Sequence, residues 1–94
     1  MIARIGEHNQ LPDDLDPGYA NAIRAFLAAR AGFCGGYHLV EPETGHALSV
    51  TLWQDAGSLA AAEAAMAERS GPADGRISRH SNPRVRIAQV AAVF

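Results

Sequence analysis

His38 is a candidate general base in this chain. It lies in a β-rich run, Gly32 to Trp53, and an imidazole titrating near pH ~6.5 suits removal of a proton from a phenol. Its plainer role is a histidine hydrogen-bonded to Ser49 across two strands. Trp53, the single tryptophan, ends the same run. It reads either as the wall or N–H donor of a pocket, or as a packing residue whose N–H finds one partner. His8 and His46 read as solvated, in a loop and beside a turn. His80 could close over a pocket if its loop folds inward. The four histidines show no H-x-x-H or H-x-x-x-H spacing and no cysteine pairs with them, so no metal site is expected. Cys34, the single cysteine, excludes an intrachain disulfide and reads as a small buried hydrophobe. Arg76, Arg79, Arg84 and Arg86 could hold an anion, but arginines alternating along a strand usually form a solvated edge.

The elements that position these residues follow from turn chemistry and periodicity. Met1 to Ile5 reads as strand one and Glu7 to Leu15 as a loop. Asp16-Pro17 opens a helix, with Asp capping free amides and Pro suiting the first turn. Tyr19, Ile23, Phe26, Leu27 and Arg30 form one helical stripe, and Gly32 ends it. Phe33 to Val40 is strand two, Pro42-Glu43-Thr44-Gly45 a four-residue loop, and His46 to Trp53 strand three. Asp55 or Ser58 caps a second helix through Arg69, with Leu59, Ala62 and Met66 inward. Ser70 to Pro83 is a Gly/Pro/Ser-rich loop and Arg84 to Phe94 a fourth strand. Gly35-Gly36 begins a strand, so it is no phosphate loop; glycine there allows close approach.

The order βαββαβ, with right-handed crossovers, predicts a ferredoxin-like α+β domain over residues 1–94: a four-stranded antiparallel sheet with two helices on one face. One face of the hairpin collects Phe33, Tyr37, Leu39, Leu48, Val50 and Leu52. That apolar set is expected beneath the helices. The other collects Cys34, His38, Val40, Ala47, Ser49, Thr51 and Trp53, and is expected to meet a second copy or a ligand between sheets. An uncovered apolar face would aggregate.

Composition limits the functions available. A chain of 94 residues buries only roughly 60–65% of its unfolded surface, so partner burial would help. Net charge −2 and the absence of a basic patch argue against nucleic acid. The start lacks the apolar core of a signal peptide and no run reaches transmembrane length, so a cytoplasmic protein with no membrane partner is expected.

Gly-Phe-x-Gly-Gly-Tyr, the Glu-Thr-Gly turn, and Leu-Ser-Val-Thr-Leu-Trp before an acid-capped helix resemble the antibiotic biosynthesis monooxygenase-like group of the dimeric α/β-barrel superfamily. The resemblance covers strand two through helix two, and the ends by topology. It implies a homodimer whose sheets close into a barrel, in a superfamily that includes cofactor-free monooxygenases of aromatic polyketides, haem-degrading enzymes and many members without known activity. Trp53 matches the family's pocket Trp, and Asn9 the pocket Asn after strand one. Haem-degrading members need a histidine on helix two. Leu59 to Arg69 has none, and neither His8 nor His80 replaces it convincingly, so no cofactor is expected. With His38, Trp53 and Asn9 as the chemical set, Tyr37, Phe26 and Thr51 are the expected substrate contacts. The resemblance implies a cofactor-independent monooxygenase for a small aromatic or polyketide-type molecule. The alternative is a non-enzymatic homodimeric binding or accessory protein of the same fold. The two differ in whether polar groups converge on an open cavity.

Overall fold

The computed structural model describes residues 1–9, 17–69 and 84–94. Strand β1 is Ile2–Asn9, helix α1 Pro17–Ala28, β2 Phe33–Glu41, β3 His46–Trp53, α2 Ala56–Arg69 and β4 Arg84–Gln89. The strands form one antiparallel sheet in the order β2-β3-β1-β4, the ferredoxin-like βαββαβ arrangement. Asp16, His80, Arg76, Arg79 and the Ser70–Pro83 loop lie outside the described residues. Among those described, no helix is long and apolar enough to cross a membrane.

β1 runs further than its composition suggests. Glu7, His8 and Asn9 are strand residues rather than loop, because each meets a partner on β3: Leu48, Ala47 and His46. A polar stretch becomes strand when its backbone groups find a ladder. β4 ends at Gln89, short of the expected Phe94. The hairpin closes as its residues dictate. Gly45 takes φ of 73°, and its amide donates to the Glu41 carbonyl at 3.0 Å. Asp55 caps α2, accepting from the Ser58 amide at 2.7 Å. That bond, then the Ser58 hydroxyl, holds the Asp55 carboxyl below its usual pKa.

The two faces of the sheet are reversed relative to the expectation. Trp53 is 2% exposed and packs beside Leu59 and Ala62 of α2, with Ile2, Leu27 and Phe33 around them. The face bearing His38, Ser49, Thr51 and Trp53 is therefore the one under the helices. Tyr37 and Leu39 stand on the uncovered side, 68% and 48% exposed, and Leu48, Val50 and Leu52 alternate with the helix-side residues of β3. Apolarity marks a face as one that needs cover; it does not say which cover. Crossover handedness decides where the helices go. Phe33 departs from its expected set because Cys34 is an extra residue between Phe33 and Gly35, so Phe33, not Cys34, pairs with Trp53. Phe33 thus joins Trp53, edge to face at 5.2 Å. Cys34 is exposed rather than buried, since the bulge turns it out of the ladder.

Candidate functional site

Four rows of residues cross the helix-covered face of β1, β3 and β2: Ile2–Trp53–Phe33, Arg4–Thr51–Gly36, Gly6–Ser49–His38 and His8–Ala47–Val40. The first is apolar and merges with the core. The next three are mostly small or polar. α1 and α2 are rich in alanine and too slender to fill the space above them. What remains is a cavity of about 520 Å³ between sheet and helices. Tyr19, Ile23 and Leu27 of α1 and Leu59, Ala62 and Met66 of α2 wall it, and the small and polar rows floor it. Its size falls within the range of small-molecule sites.

The polar groups on the floor are organised. His38 Nδ1 and Ser49 Oγ share a hydrogen bond of 2.9 Å, with the donor set by the tautomer. The ring of His8 stacks on that of His38 at 5.9 Å, across the small Ala47. Tyr19 meets His38 edge-on at 6.4 Å. His38 is thus fixed from below by Ser49 and from the side by two rings. Trp53 Nε1 donates to Thr51 Oγ1 at 2.8 Å. The indole N–H is therefore engaged within the protein, and Trp53 serves the cavity as a wall. The Thr51 hydroxyl, having accepted, keeps its own proton to donate. Arg4 Nε donates to Glu63 Oε1 at 3.2 Å, tying the floor to α2. Both side chains reach water, so this pair contributes at most about 1 kcal/mol.

Of the expected site residues, His38, Trp53, Thr51 and Tyr37 border the same cavity. Asn9 does not. It is exposed at the His46 end of β1, seven residues from Ile2, the partner of Trp53. At about 3.3 Å per residue that is roughly 23 Å, so no small ligand spans Asn9 and Trp53. Asn9 is thus separated from His38 and Trp53, the other two members of the expected chemical set. Tyr37 also lines the cavity, between Gly36 and His38, but it is 68% exposed and alternation turns its ring to the uncovered face. Phe26 is absent from the cavity lining; its ring packs under the Arg30 guanidinium, 4.6 Å from the centroid. About 100° per residue separates it from Leu27, enough to turn it onto the helix flank. Arg4, Gly6, His8 and Glu63 were not expected here. Three of them were legible in β1, where Arg4, Gly6 and His8 alternate with Ala3 and Ile5, once the strand is carried through Asn9.

No family model matches the sequence, and no curated protein matches it. Solved structures do. A variant of SnoaB, a cofactor-independent oxygenase from Streptomyces nogalater, matches with a TM-score of 0.72 at 13% identity, over 99% of this chain and 95% of that one. A structure described as an antibiotic biosynthesis monooxygenase matches with a TM-score of 0.54 at 15% identity, over the full length of both chains. The chain shares the ferredoxin-like βαββαβ fold of these structures. MhuD from Mycobacterium tuberculosis, a heme-degrader with two hemes bound in its active site, matches with a TM-score of 0.65 at 15% identity, over 100% of this chain and 99% of that one. At these identities the likeness is one of fold. Within that fold, α2 here carries no histidine, and the histidines of the cavity, His8 and His38, both stand on the sheet.

Proposed function

We propose that this chain is a cofactor-independent monooxygenase-like protein acting on a small aromatic or polyketide-type molecule. The observation that carries the reading is the cavity on the helix side of the sheet, where a ring-stacked histidine, two hydroxyls and a tryptophan wall converge. A reaction without a cofactor requires a substrate that itself reduces O₂ once ionised. The protein then supplies a base, donors for the developing anion and a partly dry enclosure. In this reading His38 takes the proton, the Thr51 hydroxyl faces the anionic oxygen, and Trp53 with Leu27 and Ile23 holds the ring system. Two neighbours of the same fold, SnoaB and MhuD, are an oxygenase and a heme-degrader.

The working form we propose is a homodimer joined through the uncovered sheet face. Tyr37, Leu39, Leu48, Val50 and Leu52 form an apolar surface on a chain too small to leave such a surface in water.

One observation favours the second reading, a ligand-binding protein of the same fold without catalysis: Asn9 stands outside the cavity. Oxygen-electrode measurements with a panel of polyphenols and anthrones distinguish the two. Uptake that is abolished in His38→Gln supports the enzyme. Binding of the same compounds to the native protein with no oxygen uptake supports the binding protein and sinks the enzymatic reading.

A further inference from the structure

The cavity is more basic than the molecule around it. The chain has a net charge of −2, yet Arg4 and Arg24 stand against the single acid Glu63 among the described residues of the cavity lining. Arg24 lies on α1, where it donates to Asn21 at 3.0 Å. Arg4 is on the floor. Its Nε edge is taken by Glu63, while its Nη1 lies over Gly6, 3.6 Å from the point a Cβ there would occupy. The guanidinium therefore spans from α2 to the Gly6–Ser49–His38 row. Glycine at position 6 leaves room above that row. Glu63 holds Arg4 by one contact and is itself 52% exposed. A pair this wet orients the guanidinium without tying it up. A guanidinium offers five N–H donors in a planar fork matched to carboxylate-like oxygens.

We propose that Arg4 is an anion-binding subsite, that the cavity's ligand is an aromatic molecule bearing an acidic oxygen, and that Glu63 occupies Arg4 in the free protein as an internal competitor. The proposal rests on the reading of the cavity as a site for small aromatic molecules. The aromatic body lies against Trp53, Leu27 and Ile23, and the acidic oxygen lies over Gly6 at Arg4, where the hydroxyls of Ser49 and Thr51 border it. A charge-assisted contact in a half-enclosed site discriminates an anion from its neutral isostere more strongly than the same contact in water.

The test is calorimetric binding of 2-naphthoate and its uncharged amide, 2-naphthamide, at low ionic strength to the native protein, Arg4→Gln and Glu63→Gln. Circular dichroism checks that each variant is folded. The native protein is expected to bind naphthoate about tenfold more tightly than the amide, as a charge-assisted bond to guanidinium implies. Arg4→Gln brings the ratio close to one by weakening naphthoate alone. Glu63→Gln, with the competitor removed, tightens naphthoate roughly severalfold and leaves the amide unchanged. Equal native affinities, a ratio untouched by Arg4→Gln, or weaker naphthoate binding in Glu63→Gln would each overturn the proposal. In those cases amide binding leaves the aromatic-site reading intact. If neither compound binds at millimolar concentration, the aromatic-site reading falls and the proposal falls with it.

Discussion

Trp53 and Thr51, two residues apart on one face of β3, are joined by a 2.8 Å hydrogen bond from indole Nε1 to the threonine Oγ1. The bond satisfies the polar atom of the most buried large side chain in the described core. Thr51→Val preserves shape and leaves the indole N–H without that acceptor, a loss of about 1–3 kcal/mol by chemical denaturation. Because Trp53 is the single tryptophan, a shift in its emission maximum reports the same change. An unchanged unfolding midpoint would mean that the indole finds another partner.

Asp55 gives a pH signature. Its carboxyl is held below the usual pKa of 3.8, first by the Ser58 amide and then by the Ser58 hydroxyl. A depressed folded pKa contributes stability that is full above the unfolded pKa and is lost as pH falls through the lower, folded one. Asp55→Ala should therefore lower Tm at neutral pH, with the gap from the native protein closing below about pH 4. Parallel thermal melts from pH 7 to pH 2 check it. A gap that stays constant across that range would rule out the cap as its cause.

Two glycines on the cavity floor should differ in tolerance. A Cβ on Gly36 would collide with the Val50 carbonyl oxygen, a backbone atom of the paired strand. A Cβ on Gly6 would meet Arg4 Nη1 at an ordinary 3.6 Å. Gly36→Ala is expected to destabilise by about 1–3 kcal/mol, the usual cost of forcing extra volume into a packed site. Gly6→Ala is expected to stay within about 0.5 kcal/mol of the native protein, the range of substitutions without strain, while narrowing the cavity. Urea titrations of both variants make the comparison.

His38 and Ser49 should separate chemistry from positioning. If His38 is the base, His38→Gln lowers oxygen uptake by about 10²–10⁴-fold with ligand binding retained. Ser49→Ala removes only the 2.9 Å partner of Nδ1, so its loss should be smaller and should appear in kcat more than in KM. Equal activity in His38→Gln and the native protein would remove His38 from any mechanism.

The uncovered face can be tested by charge. Leu39→Glu sets a carboxylate opposite Leu48 on the exposed apolar face, outside the cavity lining. Sedimentation equilibrium should then show monomers where the native protein gives dimers. A native protein that is monomeric at all concentrations would leave the apolar face in need of another partner.

Local chemistry alone determined a good deal of this protein. The Glu-Thr-Gly turn, the β3 limits at His46 and Trp53, a cap for α2 at Asp55 or Ser58 and the βαββαβ order are each written in neighbouring residues, because turns and caps are short-range contacts. The pairing of His38 with Ser49 followed from counting back from the turn, since register propagates along a ladder. Three things came only with the tertiary structure. The length of β1 depended on partners supplied by β3, forty residues away in the chain. The extra residue at Cys34 moved Phe33 to the other face, and a bulge has no dependable local signature. The choice of covered face depended on the hand of the crossovers, a property of the whole chain path to which the two-residue period of a strand is blind. That last choice turned the mixed face of the hairpin from an expected subunit contact into a cavity floor, and brought Arg4, Gly6 and His8 to it.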